Sequence, residues 1–266
     1  MLYYLAEYIQ SVFNPPGFGL FRYVTFRAAA AAITALLIAF VFGPRIIEAM
    51  KRRQIREQGK KEAPKSHMAK AGTPTMGGLI ILLSLVVPAL LWCDIKSAYV
   101  LLAVIVTVIL GAVGFLDDYL KVVARLPKGL IGRYKIIGQV GVGLILGGTI
   151  YFFPEWFPQG FAELNTSTTL PFVKDGVLEY GVFFIPVVIF ILTATSNAVN
   201  LTDGIDGLAI GTVSIVALAL AAITYVTGNF QAAKYLGFAQ LRGADELTIF
   251  CAALVGAGLG FLWYNA

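Results

Sequence analysis

Two adjacent carboxylates, Asp117 and Asp118, stand where a long apolar stretch of the chain ends. Neighbouring carboxylates repel each other, and the C-terminal end of a helix dipole disfavours them further. A positive charge must therefore offset them, either a Mg²⁺ ion or nearby Lys and Arg side chains. Two acids at a solvated boundary fit the same pattern, so the pair by itself does not define a function.

A second polar cluster, residues 196–208, reads SNAVNLTDGIDGL. Asn197 and Asn200 are three residues apart, as are Asp203 and Asp206. On a helix each pair would share a face, whereas the glycine after each Asp favours a tight turn. The cluster contains no Lys or Arg, which a loop that only sets membrane topology would be expected to carry. Amides and acids suit the reading of a nucleotide or the binding of a hydrated cation.

The third cluster, residues 64–78, reads PKSHMAKAGTPTMGG and contains Lys70, Thr75 and the single histidine, His67. Loop hydroxyls, backbone N–H groups and Lys side chains can together hold a phosphate. The Gly-x4-Gly-Lys-Ser/Thr spacing of a P-loop is absent from this cluster. His67 fits a loop histidine with no chemical role equally well.

Acids, Mg²⁺ and Lys, without a Cys or Ser nucleophile, suit phosphoryl transfer. Positioning and charge neutralisation supply most of the rate of that reaction. The three clusters therefore favour a site for an anionic, phosphorylated substrate.

The elements that position these clusters belong to a membrane protein. The chain has 266 residues, of which 58% are hydrophobic and 13% are charged, and its mean hydropathy is +0.81. A soluble domain is typically about 25% charged. This composition argues against a cytosolic enzyme, a secreted disulfide scaffold and a disordered regulator.

Continuous apolar runs of about 20 residues, without alternation, favour membrane-spanning helices over a barrel. We predict an all-α polytopic bundle that forms a single membrane domain over residues 1–266. The seven predicted spans are about 24–43, 76–93, 98–116, 136–153, 181–200, 207–227 and 247–264. The residues before the first span lack the basic region and cleavage site of a signal peptide, so we expect that span to be retained.

Basic residues are concentrated in two of the connections between spans. Residues 45–70 hold nine of the 20 Lys and Arg, and residues 117–135 hold five more. By the positive-inside rule these connections face the cytoplasm. With seven spans the N-terminus is then outside, and all three polar clusters share the cytoplasmic face.

The opposite side offers fewer signals. Cys93 and Cys251 fall near the outer ends of spans, and two Cys in a membrane protein are more typical of unpaired side chains than of a disulfide. Residues 154–180 read as an external loop with a hairpin around residues 174–176. Four glycines of one span suit packing within or between chains equally: Gly141, Gly143, Gly147 and Gly148.

The clusters resemble the signatures of the polyprenyl-phosphate hexose-1-phosphate transferase superfamily. One branch is especially similar, the phospho-N-acetylmuramoyl-pentapeptide transferases of peptidoglycan synthesis. The strings that carry this resemblance are residues 65–78, 197–208 and 256–265. The resemblance runs the length of the chain, and strings of ten or more matching residues are highly specific.

The resemblance implies a reaction and its partners. UDP-MurNAc-pentapeptide and undecaprenyl phosphate would give lipid I and UMP, with Mg²⁺ as cofactor, at the bacterial inner membrane. The lipid phosphate would attack the β-phosphate of the sugar nucleotide. The same resemblance implies that a homodimer can form and that no nucleic acid is bound.

It also implies roles for individual residues. Asp117 and Asp118 match the catalytic acid pair, either as a base toward the lipid phosphate or as positioners of that phosphate and the metal. Lys70 matches a lysine at the diphosphate. Substrate-binding residues implied in the same way are Thr75, Asn197, Asn200, Asp203, Asp206, Arg133 and Lys135. Arg133 occupies a place that is Lys in some relatives, so its role follows less directly.

The sequence departs from the family pattern at its last residue, Ala266. Members of this branch have ten spans, and after a similar closing string they continue into a Phe-Met-Gly-Asp segment, whose Asp is the main Mg²⁺ ligand, and a His-rich loop. In this chain both would lie beyond Ala266. We therefore expect a partial sequence that lacks transferase activity alone. Radiolabelled lipid I formed by purified residues 1–266 in detergent, above a heat-killed control, would contradict that expectation.

Three alternatives make different predictions. A phosphotransferase for UDP-GlcNAc or another hexose shares the acid pair and the Asn/Asp loop, but should match residues 70–78 less closely. A transporter or flippase would carry acids near the midplane of several spans, whereas the acids here lie at inner ends and in loops. A non-catalytic membrane scaffold would tolerate Asp117→Asn and Asp118→Asn without loss of lipid I synthesis.

Overall fold

A computed structural model describes residues 1–52, 77–124, 129–170, 173, 176–204 and 206–265. These residues form nine α-helices and one two-stranded antiparallel sheet. The helices are α1 (Leu2–Phe13), α2 (Val24–Arg52), α3 (Gly78–Trp92), α4 (Ala98–Val122), α5 (Gly132–Phe152), α6 (Phe184–Thr202), α7 (Leu208–Gly228), α8 (Phe230–Leu236) and α9 (Glu246–Asn265). The strands are β1 (Ser167–Thr169) and β2 (Val177–Glu179).

Six of these helices, α2, α4, α5, α6, α7 and α9, are long and apolar enough to cross a membrane. This confirms the prediction of an all-α polytopic membrane bundle. The remaining predicted span, about 76–93, corresponds to α3, which has only 15 residues within the described part of the chain. Since a crossing takes about 20 residues, the described part of the chain supports six spans by length and α3 as a shorter apolar helix.

Several helices extend past the apolar runs from which they were predicted. The third predicted span ends near residue 116, but α4 continues to Val122 and so includes both Asp117 and Asp118. Hydropathy marks where a helix leaves hydrocarbon, whereas the backbone hydrogen bonds of the helix continue into the polar region. This extension places Lys121 one helical turn after Asp117.

The last predicted span, about 247–264, corresponds to α9, which ends at Asn265. Ala266, the final residue of the predicted membrane domain over residues 1–266, lies outside the described residues. The extent of that domain and the expectation of a partial sequence therefore stay predictions.

The N-terminal helix α1 was not predicted from the sequence. It ends at Phe13 and is capped by Asn14, which adopts the left-handed conformation with φ 43°. The ammonium group of Met1 donates to the carbonyl oxygens of Leu90 (2.5 Å) and Leu91 (3.1 Å) at the end of α3. The Tyr4 hydroxyl donates to the carboxylate of Asp94, and burial together with this hydrogen bond raises the pKa of Tyr4 to about 12.

Small residues hold α2 and α9 together. Buried alanines of α2 face buried alanines of α9. A Cβ atom on Gly256 would lie 2.1 Å from the carbonyl oxygen of Ala32, and one on Gly260 would lie 2.4 Å from Cβ of Ala39. Small residues of this kind let helix backbones approach closely, which is how helices associate in lipid.

Gly256→Ala is therefore expected to separate α2 from α9. Because the clash is with backbone, we expect a loss of about 1–3 kcal/mol, typical of overpacking, seen as a lower melting temperature in detergent. The matched control is Gly148→Ala on α5, where a Cβ atom would meet nothing within 4 Å. Equal melting temperatures for the two variants would contradict the close packing.

The four glycines of α5 named above differ in whether another helix packs against them. A Cβ on Gly143 would lie 2.9 Å from Cα of Ile189, and one on Gly147 would lie 3.3 Å from Cα of Ile185, so both face α6. A Cβ on Gly141 or Gly148 would meet nothing within 4 Å. The alternative left open by the sequence is thus decided for Gly143 and Gly147, which pack within the chain.

Two further sequence-based predictions agree with the structure. Strands β1 and β2 pair antiparallel with Ser167 opposite Glu179, which confirms a hairpin between residues 154 and 180. Its predicted tip includes Lys174 and Asp175, which lie outside the described residues. Cys93 and Cys251 are both buried and both free, as expected for unpaired side chains.

A buried ion pair joins the first turns of α2 and α9. The Arg27 guanidinium donates two hydrogen bonds to the Glu246 carboxylate, at 2.6 and 2.9 Å, and a third to the carbonyl oxygen of Trp92 at 3.2 Å. The Arg27 side chain is 3% exposed and that of Glu246 is 13% exposed. The backbone N–H of Asp94 also donates to Glu246, at 2.8 Å, so three helix ends meet at this carboxylate.

Candidate active site

Asp117 is buried on α4 and has a partner at each carboxylate oxygen. The Lys121 ammonium donates to Oδ2 at 2.7 Å, and the backbone N–H of Leu130 donates to Oδ1 at 2.9 Å. Lys121 is thus the positive charge that the acid pair was predicted to need. The contact with Leu130 ties the end of α4 to the residues that lead into α5.

Gly129 makes that tie possible. It adopts a left-handed conformation with φ +55°, and a Cβ atom at this position would lie 2.6 Å from Oδ1 of Asp117. Glycine has no Cβ atom and therefore adopts this backbone conformation with the least strain. Asp118 follows Asp117 on the same helix and is partly buried.

The amide pair of the second cluster lies on a helix. Helix α6 runs through Thr202, so Asn197 and Asn200 share one face of it, as their spacing predicted for a helix. The Lys135 ammonium of α5 donates to Oδ1 of Asn200 at 3.2 Å. The Asn197 amide donates to Oε1 of Gln139 on α5 at 3.0 Å.

The acids of the second cluster lie beyond the helix. Asp203 caps the C-terminus of α6, and Asp206 lies in the turn before α7. Gly207 ends this turn with φ +74°. Both conformations considered for this cluster are therefore present, a helix for the amides and a turn for the acids.

The described residues of the first two clusters gather at one end of the bundle. Helix α4 ends there, α5 begins there and α6 ends there, and the contacts of Asp117 with Leu130 and of Asn200 with Lys135 join them. Arg133 is exposed in the first turn of α5, with its guanidinium carbon 5.9 Å from the centre of the Tyr134 ring.

The third cluster lies almost wholly outside the described residues, and this includes Lys70 and Thr75. Its described neighbours enter the bundle at the same end as the site. Gly77, just before α3, packs against Phe261 of α9, while Gly207, just before α7, packs against Leu262.

The described residues do not by themselves complete a metal site. Among them no group of three His, Cys, Asp or Glu side chains is placed to hold an ion. Oxygen atoms that could bind a metal ion are present in Asp118, Asn197 and the Asp203–Asp206 turn. Both carboxylate oxygens of Asp117, in contrast, already accept hydrogen bonds. Metal binding by Asp117 and Asp118 therefore stays a prediction, as does a main Mg²⁺ ligand beyond Ala266.

The sequence-based reasoning missed Lys121 and Gln139. Lys121 could have been found because Asp and Lys four residues apart on a helix are neighbours. Gln139 could have been found because a polar side chain inside an apolar span is costly unless it has a partner.

An open cavity of about 350 Å³ lies at the opposite end of the bundle. Its lining comes from residues that follow α5 and residues that precede α9. Among the described residues, none of the predicted site residues lines it.

Comparison with known proteins identifies two matching family models. The model of glycosyl transferase family 4 matches residues 100–266. The model of signature 1 of phospho-N-acetylmuramoyl-pentapeptide transferase matches residues 70–82, which include Lys70 and Thr75.

Curated relatives match along the whole chain. A phospho-N-acetylmuramoyl-pentapeptide-transferase of Chloroherpeton thalassium is 49% identical over all 266 residues, which cover 71% of its length. The proteins of the same name from Chlorobium phaeobacteroides and Salinibacter ruber are each 48% identical, and the chain covers 71% and 72% of their lengths.

Proposed function

Because the chain belongs to the phospho-N-acetylmuramoyl-pentapeptide transferase family, we propose that the site at the ends of α4, α5 and α6 transfers phospho-MurNAc-pentapeptide from UDP to undecaprenyl phosphate. The products are lipid I and UMP. The observation that carries this proposal is the match at residues 70–82 together with 49% identity along the whole chain. The gathering of acids, amides and Lys at one end of the bundle supports it independently.

The reaction is a displacement at phosphorus. An oxygen of the lipid phosphate forms a bond to the β-phosphorus of the sugar nucleotide. The bond from that phosphorus to the bridging oxygen breaks, and UMP leaves with the electron pair. Because both substrates are anionic, the protein must supply positive charge and fixed hydrogen-bond donors where they meet.

The described side chains can divide this work. Either carboxylate of the pair, Asp117 or Asp118, accepts a proton from the lipid phosphate or positions it. Lys121 balances the charge of Asp117 at 2.7 Å, and Lys135 orients Asn200 at 3.2 Å. Asn200 then presents an amide to the nucleotide beside Asp203 and Asp206.

Three further residues and a metal ion complete the proposal, and of these residues Lys70 and Thr75 lie outside the described ranges. Lys70 and Thr75 bind the diphosphate, as the signature at residues 70–82 supports. Arg133 joins the basic set, and its exposed position suits an incoming anion. A requirement for Mg²⁺ is part of the proposal as well, and loss of lipid I formation in EDTA with recovery in Mg²⁺ tests it.

The direct test compares two donors in the complete gene product reconstituted in detergent. We expect radiolabelled lipid I from UDP-MurNAc-pentapeptide and no product from UDP-GlcNAc. Preference for UDP-GlcNAc would favour the hexose phosphotransferase alternative.

A homodimer also stays a prediction, and the mass of the detergent-solubilised particle tests it.

We also propose that the basic connections face the cytoplasm and the N-terminus faces outward. Leu201 at the site end and Tyr235 at the opposite end are 82% and 88% exposed, while Cys93 and Cys251 are buried. An impermeant maleimide should therefore label Tyr235→Cys in intact cells, and Leu201→Cys only after permeabilisation. Labelling in the reverse pattern would invert the proposed orientation.

A further inference from the structure

Gln139 is a fully buried amide within the membrane-spanning part of α5, with 1% of its surface exposed. A buried polar side chain at membrane depth is costly unless its groups are paired. Its Nε2 donates to Oγ of Ser196 at 3.0 Å, and its Oε1 accepts from Nδ2 of Asn197 at 3.0 Å. Both ends of the Gln139 amide are therefore used by residues of α6.

The contact fixes the orientation of Asn197. The Asn197 amide has two N–H donors, and it uses them on Oε1 of Gln139 and on the carbonyl oxygen of Thr193 at 2.8 Å. With both hydrogens donated within the bundle, the hydrogen-bonding capacity that the side chain still offers is its Oδ1 acceptor. Rotation of the amide by half a turn would place Oδ1 against two acceptors and is therefore disfavoured.

The packing of α5 on α6 makes this contact possible. Lys135 precedes Gln139 by one helical turn and holds Asn200, so one face of α5 orients both amides of α6. One turn beyond Gln139, Gly143 allows α6 to approach, since a Cβ atom there would lie 2.9 Å from Ile189. The faces of α5 and α6 therefore stay in contact over the two helical turns from Lys135 to Gly143.

We propose that Gln139 is a positioning residue of the transfer reaction, which acts through Asn197 by holding its amide with Oδ1 available to a substrate N–H or O–H group or a hydrated cation. Gln139 itself touches neither substrate. This proposal rests on the proposed function, because it takes Asn197 as a substrate-site residue. The proposal adds Gln139, which is buried inside the bundle, to the site residues at the ends of α4, α5 and α6.

A double-mutant cycle in the complete gene product tests the proposal. The variants are Gln139→Met, which keeps the volume and removes the acceptor, Asn197→Ala and the combination of both. We expect Gln139→Met to lower kcat/KM for UDP-MurNAc-pentapeptide about tenfold, as is typical of residues that orient a ligand-binding group. In the Asn197→Ala background the same change should have no further effect, because its target is gone.

Two further variants separate positioning from a general loss of structure. Gln139→Glu keeps an oxygen within reach of the Asn197 N–H and should retain more activity than Gln139→Met. Gln159→Met makes the same change in the cavity at the opposite end and should leave kcat/KM unchanged. The dissociation constant of UDP-MurNAc-pentapeptide, measured by isothermal titration on the same variants, should show the same coupling without requiring turnover.

The outcomes distinguish the two proposals. Equal losses from Gln139→Met with and without Asn197 would overturn the positioning role, as would wild-type kinetics in Gln139→Met beside a loss in Asn197→Ala. If Gln139→Met does not fold, wild-type binding by Asn197→Asp, which removes the N–H donors, overturns it. Wild-type behaviour of Asn197→Ala would overturn the positioning role but leave the proposed function standing. Neither turnover nor binding by the unmodified protein would overturn the proposed function and this role with it.

Discussion

Asp117→Asn is expected to lower lipid I formation at least a hundredfold, the lower end of the range for loss of a group that moves or holds a proton. Asparagine has nearly the same shape and keeps an oxygen that can accept the hydrogen bond from Leu130. The substitution removes the negative charge that pairs with Lys121 at 2.7 Å. The fold at the end of α4 should therefore persist while the charge balance of the site is lost.

The measurement is initial-rate formation of radiolabelled lipid I by the complete gene product, with the melting temperature as a check on folding. Asp94→Asn is the matched control, since Asp94 lies at the opposite end of the bundle and accepts from Tyr4 and the Lys96 N–H. The rate of Asp94→Asn should stay close to that of the unmodified enzyme, because this partly buried side chain lies away from the site. Unchanged lipid I synthesis in Asp117→Asn would exclude this carboxylate from catalysis.

Glu246→Gln is expected to destabilise the fold by about 3–5 kcal/mol, the usual cost of breaking a buried ion pair. Arg27 would remain charged and 3% exposed, with a neutral amide in place of its carboxylate partner. The loss is large because Glu246 also accepts from the Asp94 N–H, so three helix ends depend on it. Thermal or SDS-induced unfolding in mixed micelles measures the effect.

The control for this substitution is Glu179→Gln, which removes a charge from the exposed strand β2. It should change stability by less than about 0.5 kcal/mol, as is typical of exposed positions. Replacing both Arg27 and Glu246 by Met should recover part of the loss, because no unpaired charge is then left buried. A Glu246→Gln protein as stable as the control would show that the pair contributes little.

The sequence determined the class of fold and the residues of the candidate site. Apolar runs long enough to cross a membrane predicted seven spans, because burial in lipid depends on local composition. Six of them are long helices in the described part of the chain, and the other is the shorter α3. The predicted span over about 181–200 included Asn197 and Asn200, and because α6 is helical there, their spacing puts them on one face. The strings around Lys70 and Asp203 are long and specific enough to identify the family from residue types alone.

Local sequence patterns did not predict elements whose position or extent depends on more than local hydropathy. Helix α1 was missed because its position depends on contacts of Met1 and Tyr4 with Leu90, Leu91 and Asp94. The extent of α4 was underestimated because hydropathy detects hydrocarbon and not the helix beyond it.

Only the tertiary structure decided which polar groups meet. The contacts of Asp117 with Leu130, Asn197 with Gln139 and Arg27 with Glu246 join residues 13, 58 and 219 positions apart. Their pairing follows from close helix approach at small residues such as Gly143 and Gly256. Sequence spacing fixes neighbours within one helix, whereas the register between helices depends on how their surfaces pack.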